Sequence, residues 1–270
     1  MPIVRTSPVH PPEERPPWEM LRPMPASRIS QRHPILVGHR GMKGSAPENT
    51  LAAFRAAAQA GIDGVEFDVQ RTKDGCLIVY HDENVERLTG QKGQIEDLTW
   101  DEIKDLDVGS DFSEEFCGEH IPTLRQAFDY LRQTDLLLFI ELKEPWRYPG
   151  IEEALVALIR EYDLVPRVQV RSFYHDSLYE VYHLAPEISL SGLWLYGLPE
   201  DNEVTFKTVN AFYPLLTPEK IAHIHERGQQ VTAWVVDDLD AARALIAAGV
   251  NGITSDYPEQ LIALVNGEAR

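Results

Sequence analysis

Two histidines, three acids and two cations occupy positions in this chain where apolar side chains would be expected. His39 and Arg40 follow the run Ile35-Leu36-Val37-Gly38, Glu66 and Asp68 sit inside a strand-like stretch at 64–70, His81 closes the run 76–80, and Glu141 and Lys143 end the stretch 136–142. Residues two apart in a strand share a face, so Glu66 pairs with Asp68 and Glu141 with Lys143. Burying a charge costs several kcal/mol unless it is paired or bound to a metal. Three carboxylates converging on one place would repel one another, and a divalent cation relieves that repulsion. Carboxylate oxygens are hard ligands, which favours one Mg²⁺, Ca²⁺ or Mn²⁺ over Zn²⁺. Two imidazoles beside such a site suit proton transfer near neutral pH. Arg40 and Lys143 would hold an anionic group, arginine with two hydrogen bonds. The combination points to phosphate-ester chemistry.

Each residue also has a bland reading when taken singly. Glu66 and Asp68 could be strand acids paired with lysine or arginine, His39 and His81 capping or core histidines, Lys143 a surface lysine, and Trp234 core packing. Glu48-Asn49-Thr50 reads as a loop closure and cap for the following helix, and Asp256 as a cap for the last one. The functional reading prevails because the polar residues recur at the ends of several strand-like runs. His223 and His225 are two apart on an expected helix and do not share a face, which argues against a metal role.

The elements that must position these residues alternate. Strand-like runs at 35–38, 64–70, 76–80, 136–142, 168–171, 188–194, 208–212, 230–236 and 252–254 are mostly followed by helical stretches. Helices are expected at 49–60, with Asn49 as cap and Gly61 as stop; at 151–161; at 217–227, with Thr217-Pro218 before it and Gly228 after; and at 238–248, capped by Asp237 or Asp238 and ended by Gly249. This alternation predicts an α/β fold, a parallel sheet wound by right-handed crossovers into a TIM (β/α)8 barrel with its chemistry at the C-terminal strand ends. Nine runs for eight strands leaves one over. The stretch between 70 and 76 is too short for a parallel crossover, and Asp74-Gly75 is a hairpin signal, so 64–81 reads as a β-hairpin. A loop at 72–75 or 74–75 would set Glu66 or Asp68 opposite His81, with all three side chains on one face.

The chain has 270 residues, a net charge of −18 and 43% hydrophobic residues, enough for one large domain with a sizeable core. The acidic excess argues against a general nucleic-acid partner. Residues 1–34 hold nine of the 19 prolines and five Arg against three Glu. They read as a loose Pro-rich arm, with Pro11-Pro12 and Pro16-Pro17 beside Trp18 as a possible docking segment, and 35–270 as a single domain. No stretch approaches a transmembrane span, the first 30 residues lack a signal peptide's apolar core, and Cys76 and Cys117 form no metal pattern. A cytoplasmic protein with reduced thiols is expected. P-loop, GxGxxG, HExxH and GxSxG motifs are absent.

The segments GHRGMKGSAPENTLAAF (38–54), EFDVQRTKDGCLIVYHDENVERLTG (66–90), IPTL (121–124), FIELK (139–143), SF (172–173), the Trp234 strand and GITSDYP (252–258) resemble the signature of the glycerophosphodiester phosphodiesterase family, in particular its short, soluble bacterial members. The likeness spans about residues 35–262 in the family's order and spacing. It implies a TIM barrel that hydrolyses glycerophosphodiesters to sn-glycerol 3-phosphate and an alcohol. By position, it implies Glu66, Asp68 and Glu141 as metal ligands, His39 and His81 as general acid and base, Arg40 and Lys143 as phosphate ligands, and Trp234 as a wall of the glycerol pocket. The expected course is attack by the glycerol 2-hydroxyl to give a cyclic 1,2-phosphate, which water then opens. Two departures bear on the pocket edge: Arg87-Leu88-Thr89 replaces Arg-Thr-Thr, and Trp234-Val235-Val236-Asp237 replaces Trp-Thr-Val-Asn. The competing readings are lysophospholipase D-like activity, with Phe112, Phe116, Phe173 and Trp194 as candidate apolar contacts, and a catalytically silent barrel that only binds.

Overall fold

The computed structural model describes residues 22–25, 34–200 and 206–268. Its strands are β1 (Ile35–Gly38), β2 (Gly64–Arg71), β3 (Leu77–Val79), β4 (Leu137–Leu142), β5 (Val168–Ser172), β6 (Ser189–Trp194), β7 (Thr208–Phe212), β8 (Gln230–Trp234) and β9 (Gly252–Ser255). All nine coincide with strand-like runs in the sequence. Eight of them pair in parallel, and β1 pairs with both β2 and β9, which closes the barrel. The helices are α1 (Leu51–Ala60), α2 (Glu86–Thr89), α3 (Trp100–Ile103), α4 (Leu124–Leu131), α5 (Ile151–Glu161), α6 (His175–Leu184), α7 (Pro218–Glu226), α8 (Leu239–Ala248) and α9 (Ile262–Val265). The outward residues of the strands, such as Leu36, Val65, Phe67, Val69, Leu138 and Ile140, form the main core with the helices.

The inside of the barrel is layered. Its floor is apolar, with Ile35, Val37, Leu137 and Phe139 packed together with Met24. The backbone N–H of Met24 donates to Gln230 Oε1 at 2.8 Å, so part of the Pro-rich segment rests on this floor. Residues 1–21 and 26–33, including the Pro11-Pro12 and Pro16-Pro17 pairs, lie outside the described residues. Above the floor the inward positions are polar and bond one another: Gln169 donates to Ser189 at 3.0 Å, and Thr232 to Asn210 at 2.7 Å. Strand alternation puts the charged residues of β2 and β4 on this same inner face, toward the C-terminal mouth.

Two sequence expectations change in detail. The hairpin pairs Val69 with Val79, Gln70 with Ile78 and Arg71 with Leu77, so its connection is the five residues 72–76. Thr72 closes that loop, because its N–H donates to the Cys76 carbonyl and its hydroxyl to Asp74. Asp68 therefore faces Tyr80, whose N–H donates to the Asp68 carbonyl at 3.0 Å, and His81 reaches the mouth as the chain leaves β3 rather than as the cross-strand partner of an acid. In addition, α1 is capped by Thr50, which accepts from Ala53, and not by Asn49. Asn49 adopts a left-handed φ of 57° and turns its side chain into the barrel.

Candidate active site

Asp68 and Glu141 are register partners on β2 and β4, and Glu66 lies two residues before Asp68 on the same face. One carboxylate oxygen from each lies within 4.8 Å of the others, and Glu66 and Asp68 are almost wholly buried. Burial, then the charges of Asp68 and Glu141, push the Glu66 carboxyl well above its ordinary range. Burial works the same way on Asp68, but Lys143, His81, Arg40 and Asn49 outweigh it and hold that carboxyl low. An all-oxygen set with one carboxyl unwilling to ionise beside two others fits a hard divalent cation, which would remove the repulsion.

The linkage gives a test. Because the folded pKa of Glu66 is raised, its stabilising contribution is full below the unfolded carboxylate value, about 4.3, and is lost as pH rises through the folded value. Glu66→Gln should therefore melt above the wild type in EDTA at pH 8, by ~2–4 °C for each kcal/mol of repulsion relieved, and the gap should close toward pH 4. A variant that melts at or below the wild type at pH 8 would contradict this account of Glu66.

The turn after β1 is shaped for close approach. A Cβ on Gly38 would lie 1.8 Å from the Gly41 carbonyl oxygen, and Arg40 is held at φ 49°. The turn lets the Arg40 N–H donate to Glu66 at 3.0 Å, while the Arg40 guanidinium donates to Glu48 at 2.8 Å and sits 3.7 Å from Asp68. Arg40 Nε is buried without a hydrogen-bond partner. Lys143 Nζ lies 2.8 Å from Glu141 and 3.8 Å from Asp68. Asn49 fixes Asp68 from the side, donating to its carboxylate at 2.8 Å and accepting its N–H at 3.2 Å.

Each histidine has an aspartate on Nδ1. His39 donates to Asp256 at 2.6 Å and His81 to Asp82 at 2.7 Å, which leaves Nε2 of both rings for proton exchange. Burial disfavours the Asp256 anion, but the His39 hydrogen bond and the charges of His39 and Lys43 hold its carboxyl below the ordinary range. Asp82 is likewise held low against burial by hydrogen bonds from His81 and Arg87. Arg87 bridges Asp82 to Glu48, so His81, Asp82, Arg87, Glu48 and Arg40 form one continuous network. Asp237, one of the two departures from the family pattern, accepts from the Ser255 hydroxyl and the Asp256 N–H, both at 2.8 Å. One of its carboxylate oxygens thus fastens the loop carrying Asp256.

Trp234 ends β8, with its indole N–H donating to the Asn210 carbonyl at 3.1 Å. Phe173 and Phe212 flank it, each ring centroid 5.6 Å away, and Lys143 Nζ is 6.0 Å from the Phe173 centroid. An aromatic wall therefore runs from Lys143 along one side of the mouth. Of the eight residues singled out in the sequence, Glu66 and Asp68 lie within β2, and the other six lie at or just past the C-terminal ends of β1, β3, β4 and β8. Sequence reasoning missed the helpers. Asp82 adjoins His81, and Asp256 follows a strand end, so both carried a signal of position. Asn49, Glu48 and Arg87 belonged to quoted motifs but were read as structural or unassigned, and Arg171 went unremarked inside an apolar run.

A carboxylate trio that could hold a cation, beside two imidazoles held by aspartates, suits a barrel that hydrolyses phosphate esters. Its family is given by comparison: residues 39–260 match the sequence model of the Glycerophosphoryl diester phosphodiesterase family, and the chain belongs to that family. A glycerophosphodiester phosphodiesterase of Caldanaerobacter subterraneus subsp. tengcongensis is 42% identical over 236 residues, covering 86% of this chain and 97% of the relative. One from Bacillus altitudinis is 35% identical over 85% of this chain and 97% of its own length. Among solved structures, a phosphodiesterase from Oleispira antarctica in complex with the product sn-glycerol-3-phosphate superposes with a TM-score of 0.77 at 29% identity, covering 87% of this chain and 97% of that one.

Proposed function

We propose that the protein hydrolyses glycerophosphodiesters to sn-glycerol 3-phosphate and an alcohol, with His39 and His81 as the acid–base pair and Glu66, Asp68 and Glu141 as ligands of one Mg²⁺, Ca²⁺ or Mn²⁺ ion. The observation that carries the reading is the pair of imidazoles, each anchored through Nδ1 to an aspartate and set around the carboxylate trio. Family membership and the product named in the Oleispira antarctica complex support the substrate class.

When bound, a divalent cation supplies positive charge to a phosphoryl oxygen and offsets the charge of the trio. Arg40 and Lys143 hold the remaining phosphoryl oxygens; both now pair with the trio and need only turn outward. Trp234, Phe173 and Phe212 cover the carbon face of the glycerol and exclude water from it. One histidine takes the proton of the glycerol 2-hydroxyl at Nε2 as that oxygen attacks phosphorus, and the other gives its proton to the departing alcohol. Water then opens the cyclic 1,2-phosphate with the two roles reversed. Asp82 and Asp256 keep Nδ1 protonated and hold the rings in place, so that Nε2 is the exchanging atom in both.

The substrate is a small molecule, with no nucleic acid or membrane span required. Among the described residues no helix is long and apolar enough to cross a membrane. Cys76 and Cys117 are free thiols, which suits the cytoplasm. A second reading, lysophospholipase D-like activity, has one observation in its favour: the exposed Trp146, Tyr174 and Tyr196 follow β4, β5 and β6 on the mouth side of the barrel. Glycerophosphocholine and lysophosphatidylcholine assayed side by side separate the two. The proposal expects kcat/KM to favour glycerophosphocholine by ~10-fold or more, and a preference for the lysolipid would replace it with the second reading.

A further inference from the structure

Arg171 is the one charged residue of β5 that lies within the barrel. It is the register partner of Glu141 and only 1% exposed, and neighbouring residues in register point to the same side of a sheet. The side chain is gripped from beneath the trio. Its guanidinium carbon lies 4.1 Å from the Phe139 ring centroid, and Nε donates to Gln169 Oε1 at 3.1 Å. Among the described residues Arg171 makes no ion pair within 4.0 Å, and its Nη2 is buried without a hydrogen-bond partner. Its charge nevertheless acts on Glu66 and Glu141 at longer range.

Such a placement is costly for packing alone, because an uncompensated buried charge and an unmade hydrogen bond both destabilise. It has a use in electrostatics. Charges separated by more than contact distance still interact strongly inside a protein, where screening is weak. Arg40 and Lys143 also face the trio, but they stand at the mouth and can turn to an incoming phosphate. Arg171 is enclosed by Phe139 and Gln169 and cannot leave. We infer that Arg171 is a fixed counter-charge beneath Glu66 and Glu141, which holds the carboxylates together when no cation is bound and weakens the site's affinity for a divalent ion when one is. The inference rests on the proposed reading of the trio as a cation site. A built-in limit of this kind keeps the site in exchange with free cation instead of trapping it.

The test is calorimetric titration of Mg²⁺ into metal-free protein, with thermal melts in EDTA and in saturating Mg²⁺. Arg171→Met should bind Mg²⁺ about 10-fold tighter or more, melt below the wild type in EDTA, and recover that deficit in Mg²⁺. Arg171→Lys, which keeps the charge, should bind like the wild type. A residue that only packs the barrel would leave the affinity unchanged or weaken it on removal, so tightening is the distinctive readout. If Arg171→Met does not fold, Arg171→Gln is judged by the same affinity criterion. Mg²⁺ affinity of the neutral variant equal to or weaker than the wild type overturns the inference alone. A wild type that binds none of Mg²⁺, Ca²⁺ and Mn²⁺ in the same titration overturns the cation-site reading, and the inference with it.

Discussion

Alanine in place of His39 or His81 should lower kcat on glycerophosphocholine by at least ~10²-fold, and by as much as ~10⁴-fold, the range for positioned acid–base groups. The mechanism asks both rings for a proton transfer in each half of the reaction, so neither can be spared. Both are attached through Nδ1 to carboxylates outside the trio, Asp256 and Asp82, so their loss should leave Mg²⁺ affinity within a few-fold of the wild type. That combination, lost turnover with retained cation binding, separates a proton-transfer role from a ligand role. Asp82→Asn and Asp256→Asn should fall the same way by a smaller factor, because an amide no longer fixes which ring nitrogen carries the proton. Near-wild-type turnover in either alanine variant would remove that histidine from the mechanism.

The second large effect concerns the substrate. A glycerophosphodiester whose glycerol 2-hydroxyl is replaced by hydrogen should not be cleaved at a measurable rate, although it should still bind as a competitive inhibitor. Every polar contact proposed for the phosphate, from Arg40 and Lys143, is independent of that hydroxyl. Only the attacking oxygen is missing, and its intramolecular position is worth several orders of magnitude over an external nucleophile. Rapid hydrolysis of the deoxy diester would mean that water attacks phosphorus directly, and the two histidines would then serve that water.

The barrel was legible in the sequence because strands buried on one face by helices need apolar residues, and nine such runs alternate with helical stretches. The convergence of the candidate site residues was legible for the complementary reason: Glu66, Asp68 and Glu141 interrupt those runs. What sequence left out depends on register and on non-local pairing. The 72–76 connection is longer than either loop anticipated and shifts the register by one residue from each, because Thr72 closes it with its own N–H and hydroxyl, and no pattern of apolar residues reports that. The Asp256–His39 pair joins positions far apart in the chain that meet only when β9 closes against β1. Asn49 resembles a helix cap in sequence, yet Thr50 takes that place and frees Asn49 for Asp68. Arg171 was hidden because a single arginine at the end of a strand ordinarily reaches solvent, and only the closed barrel encloses it.

The central claim is cation-dependent release of sn-glycerol 3-phosphate, and ³¹P NMR of glycerophosphocholine incubated with metal-free protein tests it most directly. The account predicts that the diester resonance persists in EDTA and is replaced by that of sn-glycerol 3-phosphate once Mg²⁺, Ca²⁺ or Mn²⁺ is added. Conversion to phosphocholine, equal conversion in EDTA, or none with any of the three cations would contradict it.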